Sequence, residues 1–499
     1  MAISSAVSAS AIARVVGIKT VFKNLRGGAI TFLPQRIAII GQGNSSAVYP
    51  SDKKQVASAA EVASIYGFGS PLHLASRAFF PINGDGVGSI PVTIYPLVDD
   101  GAGVVSTGDI TPTIAQSIPA ASYTVMVNNI LSAPFVVSVG DTVAAVVTAM
   151  TDAINATLEM PIIAVDGTTK VDITSKWKGA SANDIVLQIV GATNIGNSFA
   201  FTQPTGGLVN PDIDPALLLV GNVWESLFLN CLDIADTATL DKLSTFGEGR
   251  WGALTRKPMV AFTGNTEADR TTAIAIPDAR KTDRTNCQLV APGSIDLPFV
   301  VAARQLSRIA ILANDNPPHD YGSQDADGLV PGTDAQQWDY TERDIAVKAG
   351  SSTTEVKDGI INISDVVTFF HPDGDPIPAY RYVVDIVKLQ NIIFNLDLIF
   401  ATDEWDGAPL IPDDQPTVNR SAKKPKTAVA AVAAMLDSLG LNAIISDPET
   451  AKKNTVAEID ATNPKRLNLV TTVQLSGNTN IISIDLEFGF LFGSQAIAA

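Results

Sequence analysis

Residues 258–313 read PMVAFTGNTEADRTTAIAIPDARKTDRTNCQLVAPGSIDLPFVVAARQLSRIAILA. PMVAFTG (258–264) and NCQLVAPG (286–293) read as short strands, and residues 267–281 and 297–313 as helices. The same alternation begins upstream, where WESLFLN (224–230) reads as a strand and TATLDKLSTFG (237–247) as a helix. Strands that alternate with helices predict βαβ crossovers and a mostly parallel sheet.

The texture recurs nearer the start. RIAIIG (36–41) reads as a strand. A helix is expected from about Ser51, with Val56, Ala59, Ala60 and Ala63 on one face and Gly67 as its stop. Ser70-Pro71 then caps a second helix that turns Leu72, Ala75 and Phe79 inward. VTIYPL (92–97) returns as a strand. The loop signal DDGAG (99–103) ends this stretch, and alternating strands follow at YTVMV (123–127), FVVSV (135–139), VDIT (171–174) and DIVLQIV (184–190). Among them lies an amphipathic helix with Val143, Val146, Val147, Met150 and Ile154 at helical spacing and Asp141 as its cap. TGG (205–207) closes the strand-rich run. It therefore reads as a domain inserted into an α/β core.

The resulting fold class is α/β and multi-domain. Residues 1–25 form an N-terminal arm. Residues 26–99 and 207–370 form the discontinuous, mostly parallel core, and 100–206 the inserted strand-rich domain. A C-terminal α+β domain follows at 371–475, and a strand arm at 476–499. Residues 314–340 make a polar loop of a length that is usually functional or packed against a neighbour.

The 499 residues suit about three domains. With 46% apolar residues the chain can fill ordinary cores. A net charge of −17 argues against phosphate-backbone binding, so no nucleic acid is expected. Cys231 and Cys287 are the two cysteines, too few for a disulfide scaffold or a zinc spacing, which suits a reduced compartment. MAISSAVSASAIARVV lacks a basic residue before Arg14 and reads as an arm, not a signal peptide. TAVAAVAAMLDSLG (427–440) is too short to span a bilayer, so no membrane insertion is expected.

Catalytic constellations are weak. RIAIIGQGNSSA (36–47) starts like a dinucleotide fingerprint, but the third glycine position is Ser46, Pro50 interrupts the expected helix, and no acidic residue ends a second strand at the right distance. A dinucleotide-binding oxidoreductase using this turn is the alternative functional reading. GDGVGS (84–89) has no strand leading into it. His73, His319 and His371 are the three histidines, without metal-ligand spacing. There is no G-x-S-x-G, and QDADGLV (324–330) lacks the glutamate that completes a calcium loop. No cofactor and no catalytic residue follow from the sequence. Lys423, Lys424 and Lys426 in SAKKPK form the one basic cluster, a solvated linker or a contact for an acidic partner surface.

At the C-terminal end, Ile482, Ile484, Leu486, Phe488 and Phe490 alternate with Ser483, Asp485, Glu487 and Gly489, the period of a half-buried strand. Burying five such side chains gains about 8–15 kcal/mol gross, and ordering the backbone of about nine residues costs roughly 9–18 kcal/mol. Alone the segment breaks even; it orders when a preformed sheet edge pairs with it. ARVVGIKTVF (13–22), with Val15, Val16, Ile18 and Val21, is its N-terminal counterpart, weakened by Gly17.

Four stretches together resemble the contractile tail sheath proteins of Mu-like phages. They are RIAIIGQG with YGFGSPLHLASRAFF, the Tyr-Thr-Val run with Gly140-Asp141-Thr142, TERDIAVKAGSSTTEVKDGIINISDVVTFF (341–370), and NPKRLNLV (463–470). The third is the most specific, with Glu342-Arg343-Asp344, Gly350-Ser351-Ser352-Thr353, then Val356, Gly359, Ile361 and Thr368-Phe369. Part of that family's domain is subtilisin-like in fold, but the catalytic motifs are absent here and Gly350-Ser351-Ser352 lacks a histidine partner. The resemblance implies a non-enzymatic subunit in stacked, hexameric rings around a tail tube, with baseplate and tail terminator as further partners. It implies a virion-tail location after assembly in the host cytoplasm. It also implies that the two terminal arms add strands to neighbouring copies. The lysine cluster is then the candidate contact to the tube, and the insert the part that projects outward. A static surface array is a third reading, to which the long α/β core is ill suited.

Overall fold

The run IAIIGQ forms β1 (Ile37–Gln42), buried at all six positions. The computed structural model describes residues 30–113, 118–192, 198–375, 378–480 and 482–486. The chain divides into two compact units, Leu33–Asn391 with Ser476–Ala499, and Met1–Phe32 with Ile392–Leu475.

In the larger unit β1 is followed by β2 (Lys54–Val56), α1 (Ala59–Tyr66), α2 (Pro71–Phe79) and β3 (Val92–Leu97). The helix expected from about Ser51 starts later. The Ser58 hydroxyl accepts from the Glu61 amide, and the Glu61 carboxylate accepts from Ala57 N–H, which pins the first turn. Residues 54–56 instead pair antiparallel with β3, exposing Lys54 and Gln55 and burying Val56. Ser70 caps α2 as the sequence indicates.

The strand-rich stretch holds β4 (Val105–Pro112), β5 (Ala121–Val127), β6 (Ile130–Leu131), β7 (Phe135–Val137), α3 (Val143–Ala156), β8 (Ile162–Asp166), β9 (Val171–Lys178), β10 (Leu187–Val190) and β11 (Phe199–Thr205). One sheet runs β11-β4-β9-β8; the other runs β10-β5-β6, with β7 also on β5. The cap of α3 is Thr142, whose hydroxyl accepts from Ala145 N–H. Asp141, the expected cap, accepts from Ser138 N–H and closes the preceding turn. β10 begins three residues later than read, because Ala180–Asp184 form a 3₁₀ turn. Trp177 is fully buried and meets Phe299 edge-on at 6.1 Å, so the hydrophobic cores of this stretch and of the parallel sheet are continuous.

The alternation then resumes with α4 (Asp214–Val220), β12 (Leu227–Asn230), α5 (Thr237–Trp251), β13 (Val260–Asn265), α6 (Arg270–Asp278), β14 (Asn286–Val290) and α7 (Pro298–Asp315). The six-stranded sheet has the order β14-β13-β12-β1-β3-β2, parallel except for β2. Ile37, Ile39, Leu229 and Phe262 belong to one core, and Ala38, Ile40, Phe228 and Ala261 to the other. Burial on both faces explains why these strands read as unbroken apolar runs. At Gly264 a Cβ would run into the Pro298 main chain, so α7 starts directly against β13.

Next come α8 (Tyr340–Lys348), β15 (Thr353–Lys357), β16 (Ile360–Asp365) and α9 (Val383–Phe400). Asp339 and Glu342 form a capping box at α8. β15 and β16 make a hairpin through Asp358 and Gly359, both at positive φ (52° and 77°). The long loop lies on this hairpin: Asp325 bridges to Asn362, and Arg308 of α7 binds the Asp325 carboxylate at 2.8 Å.

In the smaller unit, α10 (Pro425–Leu441) buries Ala428, Val432, Met435, Leu436 and Leu439. β17 (Ile445–Ser446), α11 (Pro448–Lys453), β18 (Val456–Ile459), β19 (Leu467–Val470) and β20 (Gln474–Leu475) follow. β17 pairs with β20 and β18 with β19, each as a two-stranded sheet.

Candidate functional site

Residues 30–36 lie outside any strand, so their amides need other partners. Side chains supply them. In the smaller unit the Asn395 amide clamps Thr31, accepting its N–H at 3.1 Å and donating to its carbonyl at 3.0 Å, while Ser438 Oγ accepts from Ile30 N–H at 3.0 Å. In the larger unit Asn391 Oδ1 accepts from Leu33 N–H at 2.8 Å and Asn314 Oδ1 from Gln35 N–H at 3.2 Å. The buried Gln35 side-chain oxygen Oε1 in turn accepts from Ser226 Oγ at 2.7 Å. One side-chain amide offers both a donor and an acceptor, which is what an unpaired backbone unit requires.

The segment after β20 is held by charge. Lys388 of α9 is fully buried, and its ammonium donates to Ser476 O at 2.6 Å, Asn478 Oδ1 at 2.7 Å and Asp385 Oδ1 at 3.0 Å. Asn478 Nδ2 donates to Pro318 O at 2.8 Å, and the Tyr382 phenol, pushed up chiefly by burial, bonds Asn480. Just beyond, Ile482, Ile484 and Leu486 are 74%, 80% and 79% exposed and are in no strand. The half-buried strand read there is thus not formed at residues 482–486 within the chain's own fold. Phe488 and Phe490 lie outside the described residues, as do Val15, Val16, Ile18 and Val21.

The lysine cluster is tied into its own unit. Lys423 is buried, pairs with Glu404 at 3.0 Å and sits 5.2 Å from the Trp405 ring centre. Lys424 and Lys426 both donate to the Asp413 carbonyl. Lys423 therefore belongs to the packing, and Lys424 with Lys426 remains near solvent.

The turn after β1 is filled by its own side chains. A Cβ at Gly43 would strike the Tyr49 ring, and one at Gly41 would meet Cys231 and Leu72. Tyr49 Oη accepts from Gly43 N–H at 3.2 Å and donates to Leu97 O at 2.9 Å. The glycines thus make room for protein, not for a pyrophosphate. His73 is buried, accepts from Gly69 N–H, and has its pKa lowered to about 4 by burial and then by Arg77 and Lys176. His371 packs beside Gly350, but its ring nitrogens face Phe369 O and Asp278, while Ser351 bonds Gln288 and Ser352 bonds the Val367 backbone. Burial raises both thiols, that of Cys287 to about 12. Among the described residues no group of three or more His, Cys, Asp or Glu is placed to hold a metal, and no helix is long and apolar enough to cross a membrane.

Sequence reasoning missed Lys388, Asn391 and Asn395. The signal was present: in VVDIVKLQNIIFNLDLIF these polar residues fall at i, i+3 and i+7, on one face of a helix whose other polar residues are Asp385, Gln390 and Asp397.

A curated relative, the tail sheath protein of the Mu-like prophage FluMu of Haemophilus influenzae, is 23% identical over 447 residues, covering 87% of this chain and 88% of the relative. The chain is similar to a Mu-like tail sheath protein. The resemblance carried by residues 36–43 with 66–80, the 123–142 run, 341–370 and 463–470 therefore extends over most of the sequence. No family model matches the chain. Among solved structures, the sheath tail protein of Listeria innocua aligns with a TM-score of 0.49 at 12% identity, covering 90% of this chain and 94% of that one. The sheath tail protein of Desulfitobacterium hafniense aligns with a TM-score of 0.46 at 12% identity, covering 92% and 100%. The contracted helical sheath of the anti-feeding prophage gives 0.45 at 9% identity, covering 96% and 100%.

Proposed function

We propose that this chain is the repeating subunit of a contractile phage tail sheath. Copies stack as sixfold rings around a tube, and shortening of the array drives the tube through the host envelope. The observation that carries the reading is the similarity to a Mu-like tail sheath protein along 87% of the chain. The role is structural and uses no cofactor. Baseplate, tube and terminator are the partners, and the inserted stretch at 100–206 faces away from the tube.

Assembly works by donated strands. Ile482, Ile484 and Leu486 stand exposed next to a firmly held root, an arrangement suited to main-chain pairing with another copy. The β18–β19 hairpin is a fitting acceptor. It is a two-stranded sheet whose Val456 and Val470 are 58% and 60% exposed. The N-terminal arm, with Val15, Val16, Ile18 and Val21, is the second donor.

Truncation after Asn480 tests this. The truncated chain folds and stays monomeric in ultracentrifugation, while the full chain forms hollow tubes by electron microscopy. Ordinary tubes from the truncated chain would refute strand donation. The nucleotide reading has its own assay, since saturable micromolar NAD(P) binding would revive it; Tyr49 packed into the turn argues for no binding.

A further inference from the structure

We infer that Lys388 is a positioning residue for assembly, fixing the point at which the C-terminal segment leaves the folded unit, so that its free reach starts beyond Asn480. This rests on the strand-donation reading above.

A fully buried ammonium is costly unless each of its protons finds an acceptor. Here all three are used, and two of the three acceptors belong to residues 476 and 478. Among the described residues Asp385 is the carboxylate paired with the ammonium, and Asp320 is close enough to feel its charge. An apolar residue would serve the packing of α9 equally well, so the lysine is explained by what it grips. The grip covers the main chain at Ser476 and the side chain at Asn478, with Pro318 O and Tyr382 holding Asn478 and Asn480 from other sides. The grip is by hydrogen bonds at alternate residues, and beyond it Ile482 is 74% exposed.

The consequence is mechanical. If residues 476–480 came free, five residues would add up to about 17 Å of slack to the tether. A fixed root lets rotation of one copy act on the strand it has given to the next. A slack root would absorb that rotation.

The test uses the full chain with Lys388→Met and, separately, Asn478→Ala, followed by hydrogen exchange with mass spectrometry. Amide exchange over residues 476–480 is expected to accelerate at least tenfold in Lys388→Met and several-fold in Asn478→Ala, with β1 and β13 unchanged. Asn478→Ala keeps the Lys388–Asp385 pair, so it decides the matter if the methionine variant does not fold. Exchange at the wild-type rate over 476–480 overturns the anchor, whatever the tubes look like. Faster exchange with broadened rise and twist of the tubes supports the tether role; faster exchange with unchanged tube geometry overturns it. Because the exchange is read on the unassembled chain, the anchor is judged separately from strand donation, which the truncation after Asn480 decides.

Discussion

The parallel sheet and the segments that enter and leave the fold are specified by opposite means. In β1, β12 and β13 every residue is buried, and the backbone pairs with backbone. At residues 30–35 and 476–480 there is no such ladder, and single polar side chains on α7, α9 and α10 hold the main chain instead. The sheet distributes its stability over many interchangeable apolar contacts. The roots concentrate theirs in a few groups that have no substitute.

The largest expected effect is in the sheet. Gly264→Ala forces a Cβ into the Pro298 main chain, where no flexible side chain can yield. The loss is expected at about 3 kcal/mol, near the upper end for overpacking, measured by chemical denaturation. A loss under about 1 kcal/mol would show that α7 can slide on β13, and the sheet would then be less rigid than its burial suggests.

Next comes a root. Asn391→Ala leaves Leu33 N–H without its acceptor in a buried setting. The cost is expected at about 2 kcal/mol, the penalty of an unmet buried donor. It should come with faster exchange at Leu33 and Gln35 and unchanged exchange in β13. A change spread evenly over the sheet would erase the distinction between the two regions.

These differences decide what could be read from sequence. Apolar runs at 36–41, 92–97 and 258–264 announce buried strands because a doubly covered strand needs nothing else. The capping serine before Pro71 was legible for the same local reason. Where a non-local partner decides, reading failed. Residues 54–56 became a strand because the edge of β3 was free, and Asp141 lost its cap role to Thr142 because its carboxylate had a nearer amide. The roots were illegible in their partners, since Thr31 with Asn395 and Lys388 with Ser476 lie far apart in the chain. Only the polar stripe on α9 hinted at them.

A smaller effect separates the inserted stretch by pH. Asp184 is partly buried, and burial, then the nearby Asp233 carboxylate, raises its pKa to about 7. A raised carboxyl pKa favours the protonated fold, so its contribution is full below about pH 4 and is lost as pH rises through 7. Asp184→Asn should therefore stabilise the protein at pH 8 by about 1–2 kcal/mol and leave pH 4 unchanged. Thermal melts across this range check it; an equal gain at both pH values would mean that the carboxyl charge is already solvated.

The smallest effect on folding sharpens the comparison furthest, because it separates stability from assembly. Lys424 and Lys426 sit near solvent and bond carbonyls of their own unit, while Lys423 is buried against Trp405 and Glu404. Lys424→Gln with Lys426→Gln should change folding stability by less than about 0.5 kcal/mol, as exposed substitutions do. If the cluster meets the tube, the same pair should weaken co-sedimentation with tube protein, and more so at 50 mM than at 300 mM salt, because added salt already screens exposed charges. Lys423→Gln should do the reverse, costing stability through its buried pair and its ring contact. Equal co-sedimentation of the double variant at low salt would remove the cluster from the tube surface and leave it as a local fastening of the loop before α10.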